Sequence, residues 1–82
     1  MKYTLSPHAK LRMQERSISV ALIEEALVNP TKILYDARGR LMFKKLYKKR
    51  HIPRLLIVIG EKVKDTLRVI TVIETSKIKK YL

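Results

Sequence analysis

Cysteine is absent from this 82-residue chain, and glycine, histidine and acidic residues are scarce. Without cysteine there is no disulfide scaffold, no thiolate-bound zinc and no thiol nucleophile. His8 and His51 are the only histidines, so a tetrahedral metal centre would need carboxylates, of which there are seven. Gly39 and Gly60 are the only glycines, so no Gly-rich phosphate loop can form. No paired-carboxylate or nucleophile-elbow motif occurs either, and the ATPase, dehydrogenase and hydrolase classes fall away with no cofactor implied. The longest apolar run, Leu55 to Ile59, is far too short to cross a bilayer. No opening run resembles a signal peptide, which makes the expected location cytoplasmic, with no membrane partner. Asn29 and Gln14 stand alone of their kind while Lys and Ile are frequent, a bias of the thermophilic type.

Positive charge is abundant. Nineteen Lys and Arg against seven Asp and Glu give a formal net charge of +12. A chain of this length supports one domain, expected over residues 1–82, with one modest core. So much charge on one small domain must give some face a positive field, and phosphate backbones are the commonest target of such a field. A nucleic acid, RNA first, is the expected partner. A soluble basic surface without a specific partner is the plainer alternative.

Ser6-Pro7 reads as a helix start, because Ser can accept from free helical N–H groups and Pro at the first helical position loses no hydrogen bond. A helix is expected from Pro7 to Arg16, broken at Ser17-Ile18. Ser19 caps a second helix, Val20 to Val28, whose Leu22, Ile23, Ala26 and Leu27 form an apolar stripe. Asn29-Pro30 stops it. Strand patterns follow at Lys32–Asp36, Leu41–Lys48, Leu55–Ile59 and Leu67–Thr75, with a turn at Ala37-Arg38-Gly39-Arg40 and a break over Arg50–Pro53. Leu55–Ile59, continuous and β-branched, should be central and buried. The basic tail Ser76–Leu82 can continue the last strand. The order ααββββ with short connections predicts an α+β fold, two N-terminal helices packed on a four-stranded antiparallel sheet.

On the first helix, at roughly 100° per residue, His8, Arg12, Glu15 and Arg16 share one face, and Lys10 and Gln14 lie opposite. Ala9 and Met13 border that polar face on one side and Leu11 on the other. This predicts that His8, Arg12 and Glu15 point at the domain body or a cleft and are less exposed than Lys10 and Gln14. Glu15 should pair with Arg12 or Arg16, since inward charges survive only when paired. A structural ion-pair stripe explains the pattern equally simply. The functional reading is metal-free RNA cleavage. His8 would carry the proton, with Glu15 orienting an Arg or acting as the base. Arg12 and Arg16 would hold phosphate with their planar forks.

A second basic stretch, Arg38 to Arg54, interleaves Tyr47 and His51 with eight cations. Strand alternation puts Lys45 and Tyr47 on one face and Lys44 and Lys48 on the other. Lys45, Lys48 and Arg50 are candidate phosphate contacts, with Tyr47 a stacking ring. An edge strand guarded by Lys is the competing reading. In the tail, Lys77 and Tyr81 extend the candidate surface. Thr71 is a lone hydroxyl in an apolar strand, either a site residue or simply a good strand former.

The stretch His8-Ala9-x-x-Arg12-Met13-x-Glu15-Arg16-x-Ile18, followed by Ile23-x-x-Ala26-Leu27-x-Asn29-Pro30, resembles domain-of-unknown-function family 4258. The pair Leu55–Ile59 and Val69–Ile73, with Thr71 inside the second, resembles that family's C-terminal half. Such families are similar to the RelE/BrnT-like toxin superfamily, whose small basic α+β domains often cleave RNA without metal. The resemblance implies a RelE/BrnT-toxin-like fold and a metal-independent toxin-like endoribonuclease. It also implies a possible acidic antitoxin-like protein partner, and a homo-oligomer is compatible with it. A non-catalytic RNA- or DNA-binding module, or the basic subunit of a toxin–antitoxin-type complex, is the alternative.

Overall fold

A computed structural model describes residues 2–82. Its elements are β1 (Lys2–Leu5), α1 (Pro7–Arg16), α2 (Val20–Val28), β2 (Lys32–Tyr35), β3 (Leu41–Lys49), β4 (Ile52–Val63), β5 (Thr66–Thr75) and α3 (Ile78–Tyr81). The strands form one sheet in the order β1-β5-β4-β3-β2. β2 through β5 make an antiparallel meander, while β1 runs parallel to β5, pairing Lys2–Leu5 with Thr66–Val69.

The α+β class therefore stands, but the four-stranded antiparallel sheet with two helices is corrected to a five-stranded mixed sheet with three. β1 is four residues long, too short for periodicity to register, and its pairing is set by a partner more than sixty residues away. The tail does not extend β5. It turns at Ser76 into α3, which lays Ile78 and Leu82 on the sheet face that the first two helices leave open.

Both long helices begin and end as their local chemistry dictates. The Ser6 hydroxyl accepts from the Ala9 amide at 3.0 Å, and Ser19 accepts from Leu22 at 3.1 Å. At the C-terminus of α1, Ser17 adopts a left-handed conformation (φ 54°), and the Ile18 amide returns to the Met13 carbonyl at 2.8 Å. That sharp reversal buries Ile18.

The main core lies between the helices and the sheet. Ala9 and Met13 of α1 and Ile23, Ala26 and Leu27 of α2 cover Phe43, Leu56, Val58, Leu67, Val69 and Val72. On the opposite face a smaller cluster, Leu55, Ile57 and Ile59, is covered by Met42, Ile78 and Leu82. β4 is thus central and buried on both faces over residues 55–60. Arg50 and His51, both at positive φ (52° and 68°), form the two-residue loop between β3 and β4. Positive φ at both central residues is the type I′ signature, here without the usual Asn-Gly. At the β4–β5 irregularity after Ile59, a Cβ on Gly60 would meet the Arg68 carbonyl oxygen at 2.9 Å, so the close approach of β5 needs glycine there. Among the described residues, no helix is long and apolar enough to cross a membrane.

Candidate nucleic-acid interface

The inward stripe of α1 is Ala9 and Met13 alone. Ala9 lets the helix lie close on the sheet, and the narrow contact leaves its flanks open. The expectation that His8, Arg12 and Glu15 face the domain body or a cleft and are less exposed than Lys10 and Gln14 is corrected in part: all three are exposed, like Lys10 and Gln14, and of the three only Arg12 lines a groove. A wheel places residues by angle but does not say which of two adjacent sectors packs. Here apolar Ala9 and Met13 prevailed over the charged sector beside them because burying unpaired charge is costly.

The flank carrying Arg12 and Arg16 faces the outer edge of β5. β1 covers that edge only as far as Val69. Ser6 continues the cover by one residue, donating its amide to Val69 and its hydroxyl to the Ile70 carbonyl at 2.7 Å. Beyond Ile70 the edge borders a groove of about 300 Å³, lined by Arg12, Arg16, Thr71, Val72, Ile73 and Glu74.

Glu74 has the distinctive environment in this groove. It pairs with Leu56 on the helix-side face of the sheet, and its side chain is 8% exposed. The Tyr47 hydroxyl donates to its Oε2, and the Lys49 ammonium lies 3.5 Å from the same oxygen. Lys49 also donates to the Arg16 carbonyl at 2.9 Å, tying β3 to the end of α1. Burial raises the Glu74 carboxyl above its ordinary value, and the nearby Arg16 charge offsets part of that rise. β3 and β5 are separated by β4, roughly 9–10 Å apart, so the Tyr47 side chain must cross β4 to reach Glu74. Tyr47 lies opposite Arg54 of β4, whose Nε is buried without a hydrogen-bond partner. A carboxyl held partly desolvated beside cations is a group able to move a proton, and guanidinium forks beside it are suited to phosphate oxygens.

Of the sequence candidates, Arg12, Arg16 and Thr71 line the groove and Tyr47 reaches its Glu74. Thr71 pairs with Ile59 and so sits on the face away from the long helices, meeting the groove at the strand edge. His8 is exposed in the first turn of α1 and outside the groove lining. Glu15 pairs with Arg12 at 3.7 Å, both side chains about half exposed. Lys45 is committed elsewhere, to Glu25 at 3.4 Å and the Asn29 carbonyl at 2.7 Å, which fastens β3 to α2. Arg50 is at the hairpin tip, Lys48 on the opposite sheet face, and Lys77 precedes α3. Tyr81 lies under the Lys80 ammonium, 5.3 Å from its ring centre. Glu74 lies outside the sequence candidates, and Lys49 and Arg54 belong to the basic stretch without a role assigned to them. A signal was present, because Glu74 is the one acidic residue of the Leu67–Thr75 strand. Among the described residues, no group of three or more His, Asp or Glu side chains is placed to hold a metal ion.

The family model described as "Domain of unknown function (DUF4258)" matches residues 5–78. Neither the curated proteins nor the solved structures give a match.

Proposed function

The chain belongs to the DUF4258 family, and for it we propose RNA binding with metal-independent cleavage of the RNA backbone, a toxin-like endoribonuclease similar to the RelE/BrnT-like superfamily. The observation that carries this reading is the desolvated Glu74 carboxyl beside the Arg12–Arg16 groove, supported by Tyr47 and Lys49. The net charge of +12 supports attraction to a polyanion. In the proposed reaction Arg12 and Arg16 hold the scissile phosphate. Glu74, in its ionised form, takes the proton of the adjacent 2′-OH. The 2′ oxygen attacks phosphorus, the P–O5′ bond breaks, and the 5′ oxygen leaves with a proton supplied by Tyr47 or Lys49. The products are a 2′,3′-cyclic phosphate and a 5′-hydroxyl. Glu74 thus takes the role that sequence reasoning gave to His8 and Glu15, because it alone of the three lies in the groove.

The test is incubation of a mixed-sequence RNA with purified protein in EDTA. Cleavage lost in Glu74→Gln and kept in His8→Ala supports the assignment, whereas equal cleavage by wild type and Glu74→Gln overturns it. A non-catalytic RNA- or DNA-binding module is the second reading, favoured by the engagement of Glu74 Oε2 with Tyr47 and Lys49, which is also what a structural ion pair looks like. Binding that falls steeply with salt, without cleavage over hours, selects it.

A further inference from the structure

Arg54 is a half-buried cation whose Nε is buried without a hydrogen-bond partner. Among the described residues no carboxylate lies within ion-pair distance of its guanidinium. Buried donors are paired as a rule, and one left open beside a candidate site calls for a ligand. Arg carries a planar fork of donors and no acceptor, so the ligand it fits is an anion with paired oxygens.

The register gives that anion its place. Arg54 faces Tyr47 across the β3–β4 ladder, on the sheet face that carries Leu56 and Glu74. It stands two residues, roughly 7 Å, along β4 from Leu56, the partner of Glu74. On its other side no strand residue stands beside it, because β5 ends at Thr75, opposite Leu55. The end of α1 borders the same corner, where Lys49, next after Tyr47 on that face, holds the Arg16 carbonyl. Glu74 does not answer the Arg54 charge, since its Oε2 is engaged by Tyr47 and Lys49. Arg54 thus lies one step beyond the Glu74 cluster, on the side of its proton donors and past the last residue of β5.

We propose that Arg54 binds the phosphate that follows the leaving nucleotide, one step 3′ of the bond cut beside Glu74. The assignment rests on the RNA-cleavage reading, in which the 5′ oxygen departs with a proton from Tyr47 or Lys49. The nucleotide that owns this oxygen therefore lies on the Tyr47 side of Glu74, and Arg54 is the residue opposite Tyr47. Neighbouring phosphates of an extended strand are spaced much like the Leu56 and Arg54 rows of the sheet. The Nε and one terminal nitrogen of the fork can then hold two oxygens of that phosphate together. The substrate class follows. It is an RNA cut internally, because a 3′-terminal nucleotide with a free hydroxyl offers Arg54 no anion.

The test uses the full chain and two 2′-O-methyl dinucleotides of equal charge, one with its terminal phosphate on the 3′ end and the other on the 5′ end. The methyl group blocks the attacking oxygen, so binding is read without cleavage. The 3′-phosphate isomer is expected to bind about tenfold more tightly, the scale of one charge-assisted contact. It should also move the Arg54 Nε–H resonance, which the 5′ isomer leaves in place. Arg54→Gln should erase the preference, and Arg12→Ala should weaken both isomers alike. Equal binding of the isomers by the wild type, with Arg12→Ala weakening both, overturns the role of Arg54 and leaves the groove reading standing. A preference that survives in Arg54→Gln does the same. If neither isomer binds, the RNA reading falls and the role of Arg54 falls with it. The wild-type comparison and the Nε–H resonance decide the matter even where a variant fails to fold.

Discussion

Ser6 makes one side-chain bond that Ser19 does not, and the difference can be measured. Both hydroxyls cap a helix through one amide. Ser6 is in addition buried, and its hydroxyl donates to the Ile70 carbonyl at 2.7 Å, just where the covered part of β5 gives way to the groove. Replacing a Ser cap by Ala costs about 1 kcal/mol. Leaving a part-buried carbonyl unpaired adds about 1 kcal/mol, the lower end of the usual range because a carbonyl has a second lone pair. Ser6→Ala should therefore lose about 2 kcal/mol and Ser19→Ala about 1 kcal/mol. In a domain of this size the Tm falls roughly 4–8 °C per kcal/mol, so the expected drops are about 8–16 °C and 4–8 °C. Thermal unfolding followed by circular dichroism reads both. If Ser6→Ala costs no more than Ser19→Ala, the hydroxyl does not anchor α1 to β5 and the groove wall is held in some other way.

Gly60→Ala should cost about 1–3 kcal/mol in urea unfolding, because its Cβ would press on the Arg68 carbonyl and the Leu67 side chain. Replacing Arg50-His51 by Asn-Gly should raise stability by about 1–2 kcal/mol, since both residues hold positive φ without the chemistry that favours it. Burial raises Glu74 in the folded state, so the folded form binds its proton more tightly than the unfolded form does. Its contribution is then largest below the unfolded value of about 4.3 and is lost as pH rises through the raised folded value. Glu74→Gln should flatten that decline in a series of denaturant midpoints from pH 4 upward, and an unchanged slope would contradict the assignment. Arg12→Ala and Arg16→Ala should each lower the salt slope of RNA binding by about one, as expected for a lost phosphate contact.

The helices were legible because their signals are local. Ser6, Ser19 and Pro30 mark ends by chemistry acting within a few residues, and Ile23, Ala26 and Leu27 repeat at helical spacing. β4 was legible through its apolar run. β1 was not, since a four-residue strand is made by a parallel neighbour far along the chain. The resemblance motif mixes two kinds of residue. Ala9, Met13, Ile18, Ile23, Ala26 and Leu27 are core, while His8, Arg12, Glu15 and Arg16 are exposed. A motif alone cannot separate packing from chemistry, and His8 was drawn into the site by its residue type. Glu74 escaped for the converse reason. On an apolar strand it looks like an ordinary surface residue, and only the register that puts Tyr47 and Lys49 within its reach reveals the cluster.

The proposed function places RNA in the groove between α1 and the free edge of β5. Titration of the labelled protein with a short single-stranded RNA, followed by amide chemical shifts, tests it directly. The largest changes are expected at Arg12, Arg16 and Thr71–Glu74. Changes confined to the Arg50-His51 tip or to Lys77–Tyr81, with the groove silent, would contradict it.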